Sequence, residues 1–215
     1  MSEALYPFLH ETHKDADALL ADVARSTVDK LREVEQLRIT VGHTEGARLA
    51  SCAQAMAERF ARGGRLYTFG NGGSSTDAGA MAAQFLAPGP GWRPLPAMAL
   101  AADIATLTAL ANDVGFEVVF ARPLAAAGRA QDIAFGLSTS GGSANVLRGL
   151  TTARQRGLLT VGLAGYSGGA MAEAAERGEI DHLFVMPSPS VHRIQEVQTT
   201  TYHVLWELVQ LALDG

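Results

Sequence analysis

Five short apolar runs, each followed by a stretch of helical pattern, constrain this chain more than any other feature. Arg65–Phe69, Ala97–Leu100, Asp132–Leu137, Leu159–Leu163 and His182–Met186 read as strands. Helices are expected at Ser74–Leu86, Ile104–Asn112, Phe116–Ala127, Gly142–Gln155, Gly168–Arg177 and Val191–Leu213. Apolar strands that alternate with helices predict a parallel sheet buried on both faces, an α/β three-layer architecture. Sheets of this kind hold ligands beyond the C-terminal ends of their strands.

Two such ends carry loops of small polar residues, Gly70-Asn71-Gly72-Gly73-Ser74-Ser75-Thr76 and Ser138-Thr139-Ser140-Gly141-Gly142-Ser143. Glycine lets a backbone approach a ligand closely, and the free amides and positive dipole end of a following helix favour an anion. One phosphorylated ligand gripped at two points is the functional reading. The bland alternative is a pair of strand-to-helix turns whose hydroxyls cap helices. Neither loop has the Gly-Lys-Ser/Thr of a Walker A sequence, and the first has Ser75 where a dinucleotide loop has its last glycine. ATP and NAD are therefore disfavoured.

The remaining sequence bounds the setting. Its 215 residues are 47% hydrophobic and 18% charged, which suits one soluble domain. A net charge of −5 argues against direct nucleic-acid binding. The single cysteine, Cys52, lies on the apolar face of a helix and reads as a buried structural thiol. No signal-like segment or membrane-spanning run is found, so cytoplasmic residence is expected. Residues 1–43 read as a helical region outside the α/β repeat, suited to contacts in an oligomer, with residues 44–215 forming the main domain. Gly42 is expected to break the helical pattern, and Thr44 to cap a new helix ending at Gly63-Gly64. His10 and His13 share a helix face by spacing, which an exposed surface explains. Ala87–Pro96 cannot be helical and is expected as an extended connection near the site.

Four blocks carry a resemblance to a known family: Gly70-Asn71-Gly72-Gly73-Ser74, Ala111-Asn112-Asp113-Val114-Gly115-Phe116, Leu137 to Val146, and Arg193-Ile194-Gln195-Glu196. Together they resemble the sugar isomerase (SIS) domain, and within it the phosphoheptose isomerases, over roughly Thr44 to the C-terminus. The resemblance implies a flavodoxin-like five-stranded parallel sheet and a homotetramer with sites at subunit interfaces. It implies phosphate binding by Ser138, Thr139, Ser140 and Ser143. It places Asn71, Gly72, Gly73, Ser74, Asn112, Asp113 and Gln195 at the sugar, and a proton-transferring His203 on the last helix. Asp113 has a competing role as a turn or capping residue.

The same alignment exposes departures. Gln84 stands where the resemblance implies a glutamate base, and Ala80 where zinc-binding members carry a histidine. Pro88 and His192 replace an expected arginine and aspartate. An amide accepts no proton at neutral pH, and alanine has no ligand atom, so no zinc is expected. Aldose–ketose isomerisation of sedoheptulose 7-phosphate, with His203 as principal acid/base and Gln84 at the former base position, is the expected activity. A non-catalytic sugar-phosphate sensor, a protein-binding scaffold, or an SIS protein for another phosphorylated sugar are the alternatives.

Overall fold

The computed structural model describes residues 16–214, with side chains from Ala18 onward. His10 and His13 lie outside the described residues. Two compact units result, one up to Gln36 and one from Leu37 onward. A single helix, α1 (Ala16–Ala61), supplies the described part of the first and the opening of the second. The break expected at Gly42 does not occur. Thr44 caps nothing: its hydroxyl donates to the Thr40 carbonyl one turn back, a bond that a helix interior satisfies without ending. In the first unit Leu19, Leu20, Val23, Val28 and Leu31 are exposed.

The second unit is the expected three-layer structure. Its strands are β1 (Leu66–Gly70), β2 (Ala97–Ala99), β3 (Ile133–Ser138), β4 (Leu159–Gly165) and β5 (His182–Met186). All pair in parallel, in the order β2-β1-β3-β4-β5. Every residue of β1, β3 and β4 is buried, as helices on both faces require. The helices are α2 (Gly73–Leu86), α3 (Ile104–Asp113), α4 (Ala121–Ala127), α5 (Ala144–Gln155), α6 (Gly169–Glu176) and α7 (Val191–Asp214).

The expected helix Phe116–Ala127 is instead a 3₁₀ turn at Phe116–Val118 followed by α4. Pro123 explains the division. It has no N–H and crowds the carbonyl four residues earlier, so an α-helix containing it must begin within its first turn. The Ala87–Pro96 connection is non-helical, as expected. It is anchored along the C-terminal half of α7, where Trp92 meets Trp206 (ring centres 4.9 Å apart) and Gln210 exchanges two hydrogen bonds with the Arg93 backbone.

Cys52 is fully buried, and burial pushes its thiol up to about 12, so it is inert at neutral pH. Among the described residues, no helix is long and apolar enough to cross a membrane.

Candidate active site at the sheet switch point

The strand order reverses direction between β1 and β3, which are neighbours at the centre of the sheet. Gly70 pairs with Leu137, so the loops that follow the two strands leave the sheet side by side. This is the switch point at which doubly wound sheets bind ligands. The two loops are joined directly. Asn71 Nδ2 donates to Asn145 Oδ1 at 2.8 Å, and Asn145 Nδ2 donates back to Asn71 Oδ1 at 2.8 Å.

The second loop gathers hydroxyls. Ser138 Oγ lies 2.9 Å from Ser143 Oγ and 3.4 Å from Ser140 Oγ, and the Gly142 N–H donates to Ser140 Oγ. Ser143 occupies the N-cap position of α5, yet its side chain makes no capping bond. The reading in which these hydroxyls serve only as caps therefore fails at Ser143. Gly141 takes φ +64°, and a Cβ there would collide with the Gly168 carbonyl, so the loop is set against the β4–α6 turn. Ser138 is buried, Thr139 half-buried and Ser140 exposed, a graded wall at the head of α5.

The first loop launches α2 from Gly72, again with no side-chain cap. Gly72 and Gly73 are exposed, whereas Ser74 is buried within the first turn of α2. A Cβ on Gly73 would occupy the position of the Gln195 side-chain amide, so only glycine lets α7 come this close. Four residues further on each helix, Asp77 Oδ1 receives the Thr199 hydroxyl at 3.4 Å. Asp77 Oδ2 receives Gln195 Nε2, also at 3.4 Å. Matching steps of four mean that α2 and α7 run side by side in the same direction. One more step of four in this register reaches Met81 on α2 and His203 on α7, with Ala80 one position before that rung.

Gly73, Thr76, Asp77, His192, Gln195, Glu196 and Thr199 line a cleft of about 380 Å³. Asp77 is half-buried, and loss of solvation raises its carboxyl above the ordinary value against the lowering effect of its bonds from Gln195 and Thr199. Glu196 is ion-paired to Arg193 at 2.7 Å. His192 reaches this cleft, whereas His203 stands exposed further along α7, its ring edge-on to Tyr202 at 4.8 Å. Asn112 and Asp113 close the exposed end of α3 and bond each other at 2.7 Å, not the two loops. Gln84 is half-buried with its Oε1 unpartnered. Sequence reasoning passed over Asp77, Thr199 and Asn145. Asp77 was within reach, since it lies seven residues before Gln84 and shares its helix face.

A zinc ion finds poor donors here. Of the four positions where the resemblance implies base or zinc chemistry, Ala80 offers none, Gln84 and Gln195 offer neutral amides, and His203 alone is a strong ligand. Among the described residues, no group of three His, Cys, Asp or Glu side chains could hold a metal ion.

This fold and loop define a SIS domain, whose family model matches residues 31–165. Phosphoheptose isomerase from Roseiflexus sp. (strain RS-1) is 39% identical over 190 residues, covering 88% of this chain and 94% of that one. Its counterpart from Desulfovibrio desulfuricans is 42% identical over 184 residues, 85% of each chain. Among solved structures, phosphoheptose isomerase GmhA from Neisseria gonorrhoeae superposes with a TM-score of 0.78 at 31% identity, covering 89% of this chain and 98% of its own. A phosphoheptose isomerase from Francisella tularensis gives 0.81 at 29% identity, covering 88% and 98%. The chain belongs to the phosphoheptose isomerase family of SIS-domain proteins.

Proposed function

We propose that this protein is an aldose–ketose isomerase that converts sedoheptulose 7-phosphate to glycero-manno-heptose 7-phosphate. The observation that carries the reading is the hydroxyl cluster of Ser138, Ser140 and Ser143 at the head of α5, with Ser143 free of any capping duty. Hydroxyls and helix amides converge there on a site shaped for a phosphate monoester. The Asn71–Asn145 pair holds the neighbouring loop, with Gly72 and Gly73, where the sugar would extend. Relatives over most of the chain carry the name of this activity.

The reaction moves a proton between adjacent carbons through an enediol, so a base must take a carbon-bound proton and return it. Gln84 has no such capacity. His203 takes this role, because imidazole exchanges protons near neutral pH. Asp77 acts as a positioning residue: by accepting the Gln195 amide N–H it leaves the amide oxygen of Gln195 for a sugar hydroxyl. Asn112 and Asp113 reach the sugar from α3. No resident zinc takes part.

A homotetramer with sites shared between subunits belongs to the same reading, and the exposed apolar side chains of Leu19, Leu20, Val23 and Leu31 on α1 support it. So does a cytoplasmic location, which suits the free thiol of Cys52.

Incubating the purified protein with sedoheptulose 7-phosphate and following the aldose product tests the activity. His203→Ala is expected to lower kcat by about a hundredfold or more, with His192→Ala far milder. Binding of the sugar phosphate with no product would overturn the isomerase reading and favour the non-catalytic sensor, which the amide at Gln84 and the methyl at Ala80 would then explain.

A further inference from the structure

A second polar cleft, of about 360 Å³, opens at the opposite end of the sheet. Gly63, Arg65, Tyr67, Arg129, Asp132 and Arg156 are among its walls. Asp132 immediately precedes β3 and Ser138 ends it, so the strand separates this cleft from the hydroxyl loop by ~20 Å.

Asp132 organises the cleft. It is 3% exposed, and both its oxygens are taken by backbone groups: Oδ1 accepts the Arg65 N–H and Oδ2 the Arg129 N–H, each at 2.9 Å. One buried carboxylate therefore fixes two arginines side by side through their main chains and leaves both guanidinium groups uncommitted to it. Arg156 is held by a bond from its guanidinium to the Gly128 carbonyl at 3.1 Å. Arg59 stands behind, donating to the carbonyls of Ala130 and Gly157. Among the described residues, Arg65, Arg129 and Arg156 form no ion pair with a carboxylate. Three guanidiniums against one carboxylate leave an excess of two positive charges, in a chain whose net charge is −5.

We propose that this cleft binds a small phosphorylated metabolite carrying at least two negative charges, separately from the sugar-phosphate site. Guanidinium groups meet phosphate oxygens in bidentate, charge-assisted bonds. The cleft falls in the volume range of sites for small metabolites, ~300–1,000 Å³. Arg156 is anchored through its guanidinium, and Arg65 and Arg129 through their main chains, which leaves the guanidiniums of the latter two free to close on such an anion.

Inorganic pyrophosphate is the probe, and titration calorimetry on the full chain is the measurement. In a Ser138→Ala/Ser143→Ala background, which removes both partners of one hydrogen bond at the other site, one pyrophosphate per chain is expected to remain. Adding Arg65→Gln and Arg129→Gln is expected to weaken it about tenfold or more. Because Asp132 is held by main-chain groups, these glutamines keep the melting temperature of the ligand-free chain. If the serine background does not fold, wild-type stoichiometry decides, with two pyrophosphates per chain expected and one lost in Arg65→Gln/Arg129→Gln. Binding that vanishes with the serines alone in a folded protein, or that ignores the arginine substitutions, would overturn the site.

Discussion

Asn71 and Asn145 face each other across the switch point and exchange two hydrogen bonds of 2.8 Å, so the loop after β1 and the loop after β3 move as one body. Asn145 also accepts the Val146 N–H at 3.0 Å, and it is almost fully buried. Asn145→Ala breaks all three bonds and strands the Asn71 amide. A loss of about 1–3 kcal/mol of stability is expected, read from denaturant unfolding. The same variant should raise KM for the sugar phosphate more than it lowers kcat. A KM left at the wild-type value would show that the two loops do not need each other.

The hydroxyl wall makes a sharper demand on binding. Ser143 contributes no cap to α5 and its hydroxyl bonds only Ser138, so Ser143→Ala should cost only about 1 kcal/mol of stability while weakening phosphate-bearing ligands by about tenfold. Calorimetry with the sugar phosphate and a thermal scan on the same sample separate the two effects. A larger loss of stability with unaltered affinity would return Ser143 to a structural role.

Asp77 gives the protein a pH signature. In the folded chain its carboxyl keeps its proton at pH values where an unfolded aspartate, with a pKa of ~3.9, has lost it. The folded state then binds more protons than the unfolded one, so this group's contribution to stability falls as pH rises from ~4 through the raised folded value. Asp77→Asn removes that loss and can still accept bonds through its amide oxygen. The variant should melt higher than wild type near neutral pH, with the advantage shrinking towards pH ~3.5, where both side chains are uncharged. A stability difference independent of pH would contradict burial as the cause.

Metal dependence follows from the α2–α7 register. Turnover by the wild-type chain should survive prolonged treatment with a zinc chelator. Ala80→His combined with Gln84→Glu restores two donors one turn apart on α2, on the face that turns towards α7. That double variant is expected to retain about one zinc per chain after dialysis, measured by elemental analysis, where wild type retains none. Zinc held equally by both would show that other residues bind it.

Most of the fold was legible because it rests on local chemistry. The apolar runs at Ile133–Ser138 and Leu159–Gly165 can only be buried strands, and the glycines at Gly63 and Gly64 end α1 where expected. The misread elements are those in which one residue outweighs a pattern. Gly42 lacks the power to interrupt a 46-residue helix, because glycine costs only ~1 kcal/mol there and neighbouring turns supply the bonds. Pro123, inside an otherwise helical pattern, shortens α4. The position of the hydroxyl loop at the end of β3 was legible because Ser, Thr and Gly after an apolar run mark a strand-to-helix turn. Asp77 was not, since its importance comes from a partner 118 residues away on α7. Trp92 likewise revealed its anchor on Trp206 only once the chain had folded.

The stepwise register of α2 against α7 has a further corollary. Under the proposed function, ligand recognition falls to loops tied together by asparagines, whereas proton chemistry falls to positions between two parallel helices. Substitution at such a position, as at Ala80 or Gln84, leaves the loops untouched. Single replacements on the helices of this frame can therefore alter its chemistry without disturbing the geometry of the two loops.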